Sequence, residues 1–324
     1  MAEPPTLLDL VAGMRAELAA GATVLIRRVL DPDHGRGRYA GERVERGGAV
    51  FLHRPYRVWI DLAERLGLRL LTPVRVDDTV VELRFERLAA APAWTPDRDD
   101  PTETYGLASG FRRIHKAEDP GFVLDLALAL ERARLPARPR ILDLGCNTGD
   151  ELALVLALAP RLAEVPEVFV GIDHSASAVA AARARFPPGL ARFVRAELAE
   201  LPALGLGRFD LVISIDTLHS PGVDDRAVLR QVVQEHLTPT GALILGFPNC
   251  RYVDGELEHG TRMKNFREPE LGLLVKDVAF YRKYLQQHRR QVFVTGKDHL
   301  LVTAVARPPA HAPGDDAAGR EATT

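Results

Sequence analysis

Cysteine is scarce in this chain. Two cysteines among 324 residues, Cys146 and Cys250, cannot build a disulfide framework or a four-ligand zinc site, and their scarcity fits a reducing cytoplasm. Long apolar runs are missing too. The longest, LALVLALA at 152–159, falls far short of the ~20 residues that span a bilayer, so no membrane partner is expected. The opening MAEPPTLLDL has no basic region followed by an apolar one, so we expect no secretory signal and a cytoplasmic location. There is no strong excess of either charge: the formal net charge of -2 argues against a protein that coats nucleic acid, although a local basic patch stays open. Internal repeats are absent.

What the chain does have is 46% hydrophobic residues over a length that suits one large or two ordinary domains. Composition shifts twice. Residues 89–104, AAAPAWTPDRDDPTET, lack apolar periodicity and read as a linker, and residues 307–324 carry almost nothing to bury and read as a disordered tail. Residues 1–88 alternate helix and strand signals, as a small α+β domain does, and serve as an accessory or substrate domain. Within them HGRGRYAGERVERGG reads either as an anion-binding loop or as a solvated hairpin.

Residues 105–306 follow a different rule. RILDLG, EVFVGID, RFVRA, FDLVISI and GALILGFP are strand-like and separated by Ala- and Leu-rich helical patterns; a further helix and two closing strands, RQVFVTG and HLLVTAVA, follow. That order predicts an α/β fold, a doubly wound, mostly parallel seven-stranded sheet ending in an antiparallel hairpin. In such sheets ligands bind outside the carboxyl ends of the strands. The first of those ends, ILDLGCNTGD, places Asp143 before a glycine-punctuated turn, with Asn147 where a dinucleotide-binding loop has its second glycine. A carboxylate there repels a pyrophosphate and attracts a cation, which fits S-adenosylmethionine with its sulfonium and ammonium.

LDLGCNTG, VGIDHS, the acidic position in FVRAEL, and FDLVISIDTLH together resemble the class I S-adenosylmethionine-dependent methyltransferases, over residues 137–306. The resemblance implies S-adenosyl-L-methionine as cofactor, with Asp143, Gly145, Cys146, Asn147 and Gly149 around its methionine part. It also implies Asp173 on the ribose hydroxyls, His174 beside it, Glu197 and Leu198 next to the adenine, and Ile215 at the fourth strand end. Each has a structural alternative: Asp143 and Asp173 as caps of backbone N–H groups, the glycines as packing positions. For chemistry, Asp216 and His219 in SIDTLH face the crevice if FDLVISI ends at Ile215, and an imidazole suits a general base at neutral pH; filling space beside the adenine is the other reading for His219.

Acceptor residues are expected outside the core pattern. Tyr105, Arg112, Arg113 and Lys116, just before the first strand, suit a clamp on a carboxylate or on the substrate, or else an ordinary helix surface. Residues 246–270 read as a long loop that offers Asn249, Tyr252, Arg262 and Lys264 to a substrate. PNC is not the Asn-Pro-Pro-aromatic signature of exocyclic base methylation and follows the fifth strand instead of the fourth. The expected partner is a small-molecule substrate, with RNA as the alternative, and with a non-catalytic cofactor-binding subunit as a third reading.

Overall fold

The computed structural model describes residues 3–89, 100–220, 222–260 and 271–307. The chain forms two compact units, Met1–Thr95 with Pro248–Leu271, and Pro96–Phe247 with Gly272–Thr324.

The first unit opens with helix α1 (Leu7–Ala19), started by a reciprocal cap in which Asp9 N donates to Thr6 Oγ1 at 3.2 Å and Thr6 N to Asp9 Oδ2 at 2.9 Å. Strand β1 (Val24–Leu30), the hairpin β2 (Arg43–Arg46) and β3 (Ala49–Leu52), and helix α2 (Tyr56–Arg65) follow, then β4 (Leu68–Leu70), β5 (Val74–Arg75) and β6 (Val80–Arg87). β6 pairs antiparallel with β1, β4 and β5. Its alternate residues Val81, Leu83 and Phe85 join Leu25, Met14 and Trp59 in a core. The arginine-rich segment is therefore in part a hairpin: β2 turns into β3 through Gly47 and Gly48, both at positive φ.

In the second unit α3 (Pro120–Ala133) leads into the alternation β7 (Ile141–Leu144), α4 (Asp150–Leu158), β8 (Phe169–Asp173), α5 (Ala176–Arg185), β9 (Ala191–Arg195), β10 (Phe209–Ile215), α6 (Asp225–Gln231) and β11 (Leu237–Pro248). The chain next contributes a hairpin, β12 (Cys250–Val253) and β13 (Glu256–His259), to the first unit. Helix α7 (Leu271–Gln287) and strands β14 (Arg290–Gly296) and β15 (His299–Ala306) complete the second. Its sheet runs β14-β15-β11-β10-β7-β8-β9; β7 to β11 run parallel to one another, and β14 and β15 antiparallel to each other. This is the expected doubly wound sheet with its closing hairpin. Every residue of β7 and β8 is buried, because helices cover both faces of a parallel sheet. Sequence order reverses between β7 and β10, which opens a crevice at their carboxyl ends.

Two expectations meet a different structure. Residues 250–259 form a hairpin within the region read as a loop; Arg69 Nε donates to Glu256 Oε1 at 2.8 Å and His259 N to Glu64 Oε1 at 2.6 Å, which ties it to the first unit. Residues 110–118 carry two short 3-10 turns where a helix surface was one of the readings; His115 starts the second without a side-chain cap, and Pro120 begins α3. Most of the 89–104 linker, the rest of the 246–270 loop from 261 on, including Arg262 and Lys264, and the tail from 308 on lie outside the described residues.

Gly149, at φ +76°, starts α4, and a Cβ on it would stand 2.6 Å from the Phe186 ring. Gly149→Ala is thus expected to lower unfolding free energy by about 1–3 kcal/mol in urea titrations, from left-handed strain plus displacement of Phe186. An unchanged midpoint would contradict this.

Candidate functional site

The crevice is lined first by the turn after β7. Asp143 is buried, and its Oδ2 has no hydrogen-bond partner among the described residues. Burial, followed by the nearby Glu151 and Asp173 carboxylates, holds its pKa well above the usual carboxylate range. Gly145 and Asn147 both turn at positive φ. A Cβ on Gly145 would meet Thr217 Oγ1 at 2.2 Å, so this glycine answers a packing demand between two strand ends. Cys146 is fully buried, and burial pushes its thiol pKa up, leaving an unreactive side chain.

Asp173 ends β8 and organises that turn. Its Oδ2 accepts from Asn147 N at 2.9 Å and its Oδ1 from Ser175 N at 2.8 Å. The cap of α5 is Ser175, whose Oγ accepts from Ala178 N at 3.1 Å, so Asp173 bridges two loops and is not the helix cap. His174 beside it is half-buried. Glu197 is exposed and forms a capping box with Glu200 at the start of the 3-10 helix Leu198–Leu204, with Leu198 half-buried.

The segment before α3 contributes the groups that sequence alone does not bring together. Asn147 Nδ2 donates to the Tyr105 carbonyl at 2.7 Å, and Arg112 Nη1 donates to Thr148 Oγ1 at 2.6 Å and Asp150 Oδ2 at 2.8 Å. Tyr105 is half-buried, whereas Arg113 is exposed. Glu103, within the stretch read as linker, accepts from Ser177 N at 3.1 Å and Ser175 Oγ at 3.0 Å. Lys116 Nζ lies 2.8 Å from Asp216 Oδ2 and 3.3 Å from Glu151 Oε1. Burial by itself would lower the Lys116 pKa, but Asp216 and Glu151 outweigh it and the net shift is upward.

At the end of β10, Ile215 is buried and Asp216 takes φ +56°, a conformation that costs a non-glycine residue of order 1–3 kcal/mol and is held by its N–H to Gly246 O at 3.0 Å. Burial would raise the Asp216 pKa; Lys116 and His299 override it and keep the carboxylate ionised. His219 is accessible yet surrounded by the strand ends, as a group lining a cleft is, and desolvation lowers its pKa despite the nearby Asp216. Asp224 caps α6 by accepting from Ala227 N at 3.0 Å. Glu151 and His299 escape a sequence reading. Glu151 sits in the first turn of a helix where acidic residues are routine, and His299 lies 83 positions beyond Asp216 with no motif around it.

Structure therefore gathers Asp143, Asn147, Asp173, Asp216 and His219 around β7, β8 and β10. Asn249 and Tyr252 belong to the first unit, one before and one within the β12–β13 hairpin. Among the described residues no group of His, Cys, Asp or Glu could hold a metal ion, and no helix is long and apolar enough to cross a membrane. For a nucleotide-like cation the donor set fits: an unpartnered buried carboxylate oxygen on Asp143 beside a turn whose backbone is fixed by Asp173.

Residues 142–243, from β7 into β11, match the family described as a methyltransferase domain. The chain is 33% identical over 170 residues to the ribosomal protein L11 methyltransferases of Bordetella parapertussis and Bordetella bronchiseptica. In each case this covers 49% of this chain, which thus spans about half the length of those relatives, 50%. Among solved structures, an S-adenosylmethionine-dependent methyltransferase from Mesorhizobium loti is 24% identical, covering 54% of this chain and 94% of the other, with TM-score 0.38. The magnesium protoporphyrin IX methyltransferase of Synechocystis PCC 6803 is 21% identical, covering 57% and 78%, with TM-score 0.38.

Proposed function

We propose, from a chain that carries a class I S-adenosylmethionine-dependent methyltransferase domain, that its activity is methyl transfer to a small or medium-sized metabolite. The observation that carries the cofactor half of this reading is Asp143. Its buried oxygen has no partner among the described residues, and the Glu151 and Asp173 carboxylates that help raise its pKa make the surroundings favour a cation over a pyrophosphate.

S-adenosylmethionine, when bound, supplies an activated methyl on a good leaving group. The chain's own residues would then hold and orient. Asp143, with the backbone of Gly145 to Gly149, would face the methionine part; Asp173, which accepts from Asn147 and Ser175, would offer its remaining lone pairs to the ribose hydroxyls; Glu197 and Leu198 would lie toward the adenine. A net charge of -2 supports a metabolite over RNA as acceptor. A protein acceptor is the second reading, favoured by the similarity to ribosomal protein L11 methyltransferases.

Calorimetric titration is expected to give binding of S-adenosylmethionine and of its demethylated product, with NAD bound at least tenfold more weakly; preferential NAD binding would sink the proposal. Incubation with methyl-labelled cofactor and separated metabolite, RNA and protein fractions then decides the acceptor. Label confined to the metabolite fraction supports the first reading, and label in protein transfers support to the second.

A further inference from the structure

The cofactor reading leaves one arrangement unused. Two groups from separate elements approach Asp216 Oδ2: Lys116 Nζ, ion-paired with it at 2.8 Å, and His299 Nδ1 at 3.5 Å. His299 is itself buried, with its Nε2 3.9 Å from Asp119 Oδ2 and its ring edge-on to Phe122 at 5.5 Å between centroids. Lys116 is steadied on its other side by Glu151 of α4 at 3.3 Å. The second oxygen, Asp216 Oδ1, is shut off from solvent and has no partner among the described residues. The left-handed backbone at Asp216 places this carboxylate at the carboxyl end of β10, beside the order reversal in the sheet. A carboxylate with one oxygen ion-paired to a buried lysine and the other buried without a partner is a hydrogen-bond acceptor that wants a donor.

We propose that Asp216 receives the methyl-accepting atom itself, that this atom carries an N–H or O–H which donates to Oδ1, and that Lys116 is a positioning residue holding the carboxylate for it. This rests on the methyltransferase reading and narrows it to nitrogen and oxygen acceptors. Methylation replaces that hydrogen by carbon, so one proton leaves per turnover. Asp216 Oδ1 receives it and gives it up to solvent once the product has left. The titratable groups that face Asp216 are Lys116 from the segment before α3, His299 from β15 and His219 from its own turn, with Glu151 behind Lys116.

The test uses the full chain and three measurements. Asp216→Asn, which keeps shape and one acceptor oxygen, should bind S-adenosylhomocysteine within about twofold of wild type in calorimetry while methyl transfer to the active fraction falls about 100-fold or more. A tenfold loss of S-adenosylhomocysteine affinity would make Asp216 a cofactor ligand and overturn the proposal. Carboxyl carbon NMR of aspartate-labelled protein should show one carboxyl that stays ionised through the acid range in wild type and in Lys116→Arg, and titrates at higher pH in Lys116→Gln; identical titration in all three overturns the positioning role. Should Lys116→Gln fail to fold, Lys116→Met in the same measurement takes its place, and retention by Lys116→Arg alone still separates charge from shape. Mass spectrometry of the labelled product should find the methyl on nitrogen or oxygen, and a methyl on carbon or on a thioether sulfur overturns the proposal. If S-adenosylmethionine does not bind at all, it is the methyltransferase reading that fails.

Discussion

Lys116→Gln should lower the unfolding free energy by about 3–5 kcal/mol, the usual consequence of removing one member of a buried ion pair. The side chains of Lys116 and Asp216 are only 12% and 15% exposed, so solvent screens the pair little and the amide leaves Asp216 without a nearby full positive charge. Urea unfolding across pH also gives the change a signature. Asp216 has a folded pKa below its unfolded value, so its contribution is complete above the ordinary carboxylate range and fades as pH falls through the folded value. Lys116 has a folded pKa above its unfolded value of ~10.4, so its contribution is complete below that pH and fades only as pH rises toward the folded value. The wild-type pair therefore contributes evenly across neutral pH. In the variant, burial acts on Asp216 without the lysine; its folded pKa rises, and stability should decline as pH increases above the ordinary carboxylate range. Equal midpoints and parallel pH profiles would show that the pair contributes nothing to folding.

The largest expected effect on ligand binding belongs to Asp173. Its two oxygens already accept the Asn147 and Ser175 amides, at 2.9 and 2.8 Å, and hydrogen bonds to a charged group are worth about 1.5–3 kcal/mol each. Asp173→Ala should therefore weaken S-adenosylmethionine binding by more than tenfold and also reduce stability by about 3 kcal/mol, since the turn after β7 loses its anchor. The two loop amides are the reason the change is expected to reach stability as well as binding. Asp173→Asn keeps one acceptor oxygen and should be milder in both measurements. An Ala variant that unfolds earlier but binds cofactor as tightly as wild type would make Asp173 a loop anchor with no part in the ribose site.

Much of the second unit was legible before any coordinates. Parallel strands buried on both faces must be apolar along their whole length, so ILDL, FVGID and FDLVISI stand out, and the turn glycines between strand and helix mark where each element stops. The acidic strand ends at Asp143 and Asp173 were visible for the same local reason. The first unit's hairpin at 43–52 was one of two readings of its arginine-rich segment, and β4 and β5, at three residues and two, were too short to carry a pattern.

The hairpin at 250–259 shows where local reading ends. Its strands are four residues each and carry Arg, Glu and His, so nothing in the segment itself distinguishes it from a loop; it is held by partners such as Glu64 and Arg69, nearly two hundred positions earlier. Lys116 is a similar case. The sequence identified it only as one of several basic residues before the first strand, because 42 basic and 44 acidic side chains allow far too many pairings for spacing to choose among them. By itself, then, the sequence determined the alternation of strands and helices, the closing hairpin and the acidic ends of β7 and β8, since burial and turn chemistry act on neighbours in the chain. Only the tertiary structure decided that Lys116 and His299 converge on one oxygen of Asp216 and leave the other buried without a partner among the described residues, since that depends on how the sheet and the segment before α3 bring together residues far apart in the chain.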